Sequence, residues 1–224
     1  MGWKAYYKVD EAYFKDLYEK AERWGNMDSY MFTVQGEEHY GVGKVGTNPT
    51  TWIQSPKIQH HTGKTRVRIK YYLWANAGAT GKSSIGIIFY KNDETSKDES
   101  GYDLHGATHT ISEAPSVNTG EPHEMVVEQE NNRITWSVDG EKLGEATLEA
   151  PLTSFKLAVA IDEVSGDQIG IIITEVTAEY YDFIEDMVNQ IMSIMNILVW
   201  VFLGVSIILM IVKAFKPAKK AAPA

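Results

Sequence analysis

The segment HEMVVEQENNRITWSVDGEKLGEA, which runs from His123 to Ala146, decides the fold of this chain. It contains three runs of alternating apolar and polar residues, separated by the pairs Asn131-Asn132 and Asp139-Gly140. Both pairs suit the positive φ angles of type I′ turns, whose twist matches that of the flanking strands. The segment therefore predicts three consecutive antiparallel strands.

The middle run indicates which way these strands face. Ile134, Trp136 and Val138 are alternate residues, so they lie on one side of a strand. We expect all three to face a core between two sheets. We also expect Gly140 to adopt a positive φ.

Four further runs carry the same period of two. They are TRVRIKYYLWA (65–75), SSIGIIFYK (83–91), FKLAVAI (155–161) and IGIIITEVTAEYYD (169–182). Alternation of this kind predicts half-buried strands. Eight or more antiparallel strands in about 160 residues form a sandwich or a barrel, so the fold class is mainly β.

The start of the chain has a helical period instead. Asp10 suits an N-cap and Gly25 suits a stop. The apolar residues between them that share one helical face are Tyr13, Phe14, Leu17, Tyr18 and Ala21. We therefore predict a helical segment over residues 1–24 that precedes the β domain.

The order of these strands resembles the concanavalin A-like lectin/glucanase jelly roll, which legume lectins, laminin G-like domains and family 16 glycosidases share. The most specific part is ITWSVDGEKLGEA (134–146), a strand that ends in a VDG hairpin and is followed by a returning strand. The resemblance covers residues 25–182 and implies an antiparallel two-sheet jelly-roll sandwich. It also implies lectin-like recognition of a glycan or a protein, and it raises the question of a bound Ca²⁺ ion.

A long apolar run near the end of the chain predicts a membrane anchor. Residues 191–212 read IMSIMNILVWVFLGVSIILMIV and carry no charge. About 20 such residues cross a hydrocarbon core of roughly 30 Å as a helix. We predict a juxtamembrane and transmembrane helix over residues 183–213, continuous with a helical segment that begins at Tyr181, and a basic tail over residues 214–224.

The charges on the two sides of this run predict its orientation. Acidic residues precede it, and the lysines that follow it are Lys213, Lys216, Lys219 and Lys220. Under the positive-inside rule the tail is cytoplasmic and the β domain lies outside, in a single-pass arrangement. Because Met-Gly-Trp-Lys is not a signal peptide, a tail-anchored protein with a cytosolic domain is the alternative.

Composition excludes several kinds of site and partner. The net charge is −9, and removing the four tail lysines leaves −13 for the rest of the chain. A domain of this acidity offers no basic face to phosphates, so nucleic acid is not an expected partner. The chain has no cysteine, which excludes disulfides and thiolate metal sites.

Catalysis of the family 16 kind is not expected. Those glycosidases carry an E-x-D-x-x-E pattern on one strand, so that two carboxylates flank one bond about 5 Å apart. The chain has no such run. Glu128 and Glu130 share a face, and we interpret them as solvated carboxylates at a hairpin edge.

Candidate binding residues are aromatic or acidic. Sugars bind on exposed aromatic platforms, and the residues available for this are Trp74, Tyr72, Tyr90 and Tyr102; packing in a core or rim is the alternative for each. Ca²⁺ binds loop carboxylates, and the candidate ligands are Asp162, Glu163 and Asp167. A second acidic loop spans residues 92–103. Neither loop has EF-hand spacing, so solvated acidic loops are the alternative, and no histidine is assigned a metal.

Two functions fit these observations. The first is a membrane-anchored, non-catalytic surface module that binds a glycan or a protein. The second is a structural subunit of a surface layer, virion envelope or membrane complex, in which the jelly roll binds copies of itself as a homo-oligomer. Asn196, Gly204 and Ser206 in the anchor allow helix–helix contact in the bilayer.

Overall fold

The computed structural model of the chain describes residues 2–20, 27–45, 51–56, 58–59, 61, 63–90, 105–111, 122–147 and 154–215. The helices and strands in these residues are, in chain order, β1 (Trp3–Asp10), α1 (Glu11–Lys20), β2 (Met27–Val34), β3 (Glu37–Val45), β4 (Thr51–Gln54), β5 (Ile58–Gln59), β6 (Thr65–Ala75), β7 (Thr80–Tyr90), β8 (His105–Ile111), β9 (His123–Glu130), β10 (Arg133–Val138), β11 (Glu141–Thr147), β12 (Ser154–Ser165), β13 (Gln168–Tyr181) and α2 (Phe183–Ala214). Residues Trp3–Tyr181 form one compact unit, and α2 belongs to another.

The larger sheet is built around β13. Its strand order is β11-β10-β9-β6-β13-β3-β2, and β1 also pairs with β13. One edge of β13 is paired with β6, whereas its other edge pairs first with β3 and then with β1. Neighbouring strands are antiparallel throughout. The last strand of the sequence is therefore an interior strand of the larger sheet.

The smaller sheet has the order β4-β12-β7-β8, and β5 pairs with β12 beyond β4. These pairs are also antiparallel. Together the two sheets form the antiparallel β-sandwich that the sequence predicts, with α1 as its short N-terminal helix.

Alternate residues fill the space between the sheets. On β6 the residues Val67, Ile69 and Tyr71 are buried, and those between them are half-buried. On β12 the residues Phe155 and Leu157 are buried in the same core cluster. Side chains of a strand point alternately to its two faces, so Arg66, Arg68 and Lys70 face away from the core.

The predicted meander is present as β9, β10 and β11. In its second turn both Asp139 (φ 51°) and Gly140 (φ 83°) have positive φ, as a type I′ turn requires. In the first turn only Asn131 has a positive φ, of 55°. The type I′ prediction is therefore confirmed for the second turn and wrong for the first.

The orientation of β10 agrees in part with the prediction. Ile134 and Val138 are buried in the core cluster, but Trp136 is half-buried and packs against the edge of that cluster. The pairing of β10 with β11 shifts register between Trp136 and Ser137. The indole ring lies against Gly144, where an added Cβ would collide with it. The bulge therefore moves the indole towards the edge strand and away from the centre of the core.

The N-terminal segment differs from the prediction. The helix is present as α1, and the backbone N–H of Ala12 donates a 3.1 Å hydrogen bond to Oδ1 of Asp10, as an N-cap requires. Residues Trp3–Asp10, however, form a strand that pairs with the end of β13. The helical prediction is therefore wrong for residues 3–10, which are part of the larger sheet.

The long helix α2 is continuous from Phe183 to Ala214. It begins two residues later than predicted, because Tyr181 pairs with Trp3 in the sheet and Asp182 caps the helix. Oδ1 of Asp182 accepts hydrogen bonds from the N–H groups of Ile184 and Glu185, both at 3.1 Å. Its length and apolar composition make α2 a candidate membrane span.

Candidate functional site

The side of the larger sheet that faces away from the core, called the outer face below, carries charged residues at one end and aromatic residues at the other. On β6 its members are Arg66, Arg68, Lys70, Tyr72 and Trp74. The neighbouring strand β9 contributes Glu124, Val126 and Glu128 to the charged end, and β13 contributes Glu175 and Glu179 on the other side.

A groove of about 590 Å³ lies at the charged end of the outer face. We call it the Arg-Glu groove. Its lining residues come from β6, β9, β10 and the start of β11, and they are Arg66, Arg68, Glu124, Val126, Glu128, Thr135, Trp136, Ser137, Gly140 and Lys142. The groove therefore combines cationic, anionic and hydroxyl side chains on a rigid sheet.

Ion pairs fix both arginines of the groove. Nε and Nη2 of Arg68 donate to Oε1 of Glu124 at 3.1 and 2.5 Å. Nε of Arg66 donates to Oε2 of Glu179 at 2.5 Å, and its guanidinium lies 4.2 Å from the ring centroid of Trp3. The hydrogen bond to Glu124 raises the pKa of Arg68 above its ordinary value. Each guanidinium is thus held in one orientation, and an arginine has five N–H donors to share.

Glu128 differs from the other carboxylates of the outer face. Within the described part of the chain its side chain has no hydrogen bond and no ion pair, although it lines the groove beside its strand partner Arg66. Its oxygens therefore remain available as acceptors in the groove.

A second ion-pair group lies farther along the same face. Oε2 of Glu175 is 3.1 Å from Nζ of Lys8, and Oε1 is 3.1 Å from Nζ of Lys70. The hydrogen bonds from Lys8 and Lys70 lower the pKa of Glu175. This carboxylate bridges β1, β13 and β6 and has little capacity left for a ligand.

Two of the four predicted aromatic residues lie together at the apolar end of the outer face. Tyr72 and Trp74 are half-buried against a second apolar cluster formed by Phe32, Val34 and Ile172. The rings of Phe32 and Trp74 are 4.8 Å apart. Both predicted residues are therefore largely engaged in packing on the sheet, with only part of each ring exposed.

Glycines make room for this second cluster. The ring of Phe32 lies on Gly43 and Gly170, where an added Cβ would come within 3.0 and 2.6 Å of it. Glycine here permits close approach of a ring to the backbone. The cluster is buried on the face of the sheet that a sequence pattern alone would assign to solvent.

The other two predicted aromatic residues lie elsewhere. Tyr90 ends β7 in the smaller sheet, opposite Ser154, and Tyr102 lies outside the described residues. Among the residues that the structure describes, Tyr72 and Trp74 therefore lie in the larger sheet and Tyr90 in the smaller one. The groove itself was missed by sequence reasoning, although the alternation of Arg66, Arg68 and Lys70 was a signal that one face of β6 required acidic partners.

The three candidate calcium ligands have other contacts. Glu163 lies 2.6 Å from Nζ of Lys82, and Oδ2 of Asp167 accepts a 2.7 Å hydrogen bond from Asn76. Oδ1 of Asp162 accepts from the N–H of Glu163 at 2.8 Å. Among the residues that the structure describes, no group of three or more His, Asp and Glu side chains is arranged to hold a metal ion. The second acidic loop, 92–103, lies wholly outside those residues.

A chain of titratable groups lies between the sheets. The hydroxyl of buried Tyr71 is 2.6 Å from Nε2 of His109, the rings of His109 and His123 are 5.2 Å apart, and Nδ1 of His123 is 2.7 Å from Oδ2 of Asp139. Burial, aided by the neighbouring His123, lowers the pKa of His109 to about 4. Burial also raises the pKa of Tyr71. For Asp139 burial acts in the opposite direction, but the hydrogen bonds from His123 and the N–H of Glu124 hold its pKa below the ordinary value.

The fold and the groove define the class of this protein as an antiparallel two-sheet β-sandwich with a polar groove on one face and a long apolar C-terminal helix. No protein-family model matches the chain. No curated protein sequence matches it either.

Solved structures similar to the chain are of the kind that the sequence resembles. One is the carbohydrate recognition domain of Emp47p, with 10% identity and a TM-score of 0.43 over 81% of this chain and 98% of the other. A protein from Bacillus subtilis with a galectin-like fold has 10% identity and a TM-score of 0.45 over 80% and 100%. The catalytic domain of an endo-1,3-β-glucanase (laminarinase) from Thermotoga petrophila RKU-1 has 11% identity and a TM-score of 0.43 over 80% and 98%. Both lectin-type domains and glycosidases are thus among these structures, and at this level of similarity none assigns a ligand or a reaction to this chain.

Proposed function

We propose that this chain is a membrane-anchored, non-catalytic binding module that recognises a glycan in the Arg-Glu groove of its larger sheet. The observation that carries the proposal is the groove itself, in which fixed arginines and an available carboxylate line one cavity of about 590 Å³. Small-ligand sites have volumes of about 300–1,000 Å³.

The chemistry of the groove fits a polyhydroxylated ligand. Sugar hydroxyls both donate and accept hydrogen bonds, so they can accept from the remaining N–H groups of Arg68 and donate to the oxygens of Glu128. Because the ion pairs hold the arginines in place before binding, little side-chain entropy is lost when a ligand binds.

The spacing of the carboxylates favours binding over hydrolysis. Of the carboxylates that line the groove, Glu124 and Glu128 share a face of β9 and are four residues apart, which is about 13 Å along a strand. Glu130, the next carboxylate on that face, is not among the lining residues, and its Oε2 lies 3.2 Å from Nζ of Lys64. Glycosidases place their two carboxyl groups about 5–9.5 Å apart. In addition, the carboxylate of Glu124 is already engaged by Arg68.

Helix α2 is the proposed anchor, with the basic tail cytoplasmic and the sandwich outside. The uncharged run 191–212 spans about 33 Å as a helix, which matches the hydrocarbon core of a bilayer. The lysines that follow the run favour a cytoplasmic tail.

The proposal is tested with the full chain in lipid nanodiscs on a glycan array. We expect the native chain to bind a defined group of glycans. We expect this binding to be lost when Glu128→Gln removes the available carboxylate. Uniform absence of binding would contradict the glycan assignment. If the native chain hydrolyses a bound glycan and the Glu128→Gln variant does not, the proposal that the chain is non-catalytic is wrong. Alkaline carbonate extraction of membranes, after which the chain should stay with the bilayer, and protease treatment of intact cells test the anchor and its orientation.

A further inference from the structure

The polar and small residues of α2 lie along one side of the helix. Positions three or four apart share a face of an α-helix, which has 3.6 residues per turn. Steps of three or four residues lead along one side of α2 through Asp186, Asn189, Gln190, Ser193, Asn196, Trp200 and Gly204. All of these residues except Trp200 are polar or small. The side opposite them is apolar, with Ile191, Leu198, Phe202 and Leu209.

Asn196 is the residue of this polar side whose amide side chain lies within the uncharged run 191–212. It is five residues past Ile191, which is about 7.5 Å along the helix axis. No residue of α2 is buried, and within the described residues nothing hydrogen-bonds the Asn196 side chain. The hydrocarbon core contains no water to satisfy an amide, so Asn196 requires a protein partner there.

We propose that the partner is a second copy of this chain, in a parallel pair of α2 helices whose Asn196 amides hydrogen-bond to each other. This inference rests on the membrane anchoring proposed above. An amide side chain has both a donor and an acceptor, so it is complementary to itself. A twofold axis along the membrane normal places each Asn196 opposite its own copy, and two copies inserted in the same orientation are parallel.

Gly204 permits the close approach that such a pair requires. No atom lies within 4 Å of the position that a Cβ would occupy there, and small residues let helix backbones come together in membranes. Trp200, one turn earlier on the same side, is 73% exposed.

Ser206 provides a matched control. It lies in the same part of the membrane span as Gly204, but it is two residues farther on and therefore on the other side of the helix. Ser206→Leu changes polarity within the bilayer without changing the polar side of α2.

The test measures association of the full chain in phosphatidylcholine vesicles. Because the chain has no cysteine, Asn132→Cys in the exposed β9–β10 turn allows labelling with donor and acceptor dyes for energy transfer. We expect the association constant of the native helix to fall by about 3- to 30-fold in Asn196→Leu, the range for hydrogen bonds between helices in membranes. Gly204→Leu should also weaken association, whereas Ser206→Leu should leave it unchanged.

Retention of the chain by vesicles after carbonate extraction distinguishes a failure of the proposed anchoring from a failure of the proposed pairing. If the native chain is not retained by vesicles after carbonate extraction, the proposed anchoring is wrong. If the chain is retained but energy transfer equals that of randomly placed monomers, the pairing is overturned. Equal association of Asn196→Leu and the native chain, or equal weakening by Ser206→Leu, overturns it as well.

Discussion

The buried titratable groups around His109 lead to a defined pH dependence of stability. The pKa of His109 is lowered to about 4 in the folded protein, whereas an unfolded histidine has a pKa of about 6.5. The folded state therefore disfavours the proton. The stability that neutral His109 contributes is fully present above pH 6.5 and is lost as the pH falls from 6.5 towards 4.

The magnitude follows from the two pKa values. Between pH 8 and pH 5 the unfolded histidine becomes almost fully protonated and the folded one hardly does, which corresponds to about 2 kcal/mol of unfolding free energy at 1.36 kcal/mol per pKa unit. Because the His109 ring is only half-buried, solvent screening reduces this to about 1–2 kcal/mol. The lowered pKa of Asp139 acts in a different window, since its contribution is lost only as the pH falls below the ordinary carboxyl range.

The variant His109→Gln isolates the effect. Glutamine can keep a hydrogen bond to the hydroxyl of Tyr71 but does not titrate. Urea unfolding of the full chain in detergent, followed by tryptophan fluorescence from pH 8 to pH 5 at constant ionic strength, should show a loss of about 1–2 kcal/mol in the native chain that is absent from the variant. The same pH dependence in both proteins would refute the assignment of this loss to His109.

Five substitutions test the packing of the sheets by denaturant unfolding. Phe32→Ala should lower the unfolding free energy by about 3–5 kcal/mol, because the ring is 2% exposed, whereas Met31→Ala on the other side of β2 should have little effect. Gly140→Val should cost about 1–3 kcal/mol, because a β-branched residue is strained at a φ of 83°. Trp136→Ala and Tyr72→Ala should have similar effects of about 2 kcal/mol, because both rings are half-buried in their clusters; a large effect at Trp136 alone would contradict the second cluster.

The sequence predicted those features of the fold whose cause lies within a few neighbouring residues. The alternation in residues 65–75 predicted which side of β6 is buried, and the Asp139-Gly140 turn has the predicted positive φ angles. Asp10 caps α1 as expected. In each case the physical cause, such as a period of two, a left-handed turn or a capping carboxylate, lies within a few residues of the chain.

The features that the sequence did not predict depend on contacts between strands that are far apart in the sequence. Residues 3–10 form β1 because they pair with the end of β13, as in Trp3 with Tyr181, and no local signal contains that partner. The Arg-Glu groove depends on the register that brings β9 beside Arg66 and Arg68 on one side and β13 beside them on the other. The apolar cluster under Tyr72 and Trp74 depends on glycines from other strands. The sequence predicted Tyr72 and Trp74 as candidate sugar-binding residues, with packing in a core or rim as the alternative, and alternation alone does not show which residues of other strands contact them.

The central claim, that the Arg-Glu groove and not the smaller sheet binds the ligand, is tested most directly by a pair of charge-removing variants. Arg68 pairs with Glu124 in the groove, and Lys82 pairs with Glu163 on the smaller sheet. The measurement is calorimetric titration of a glycan identified on the array into the full chain and into Arg68→Met and Lys82→Met. We expect Arg68→Met to weaken binding by about 10-fold or more, as for the loss of a charge-assisted hydrogen bond of about 1.5–3 kcal/mol, and Lys82→Met to leave the Kd unchanged. Unchanged binding by Arg68→Met, or an equal loss in Lys82→Met, would contradict the claim.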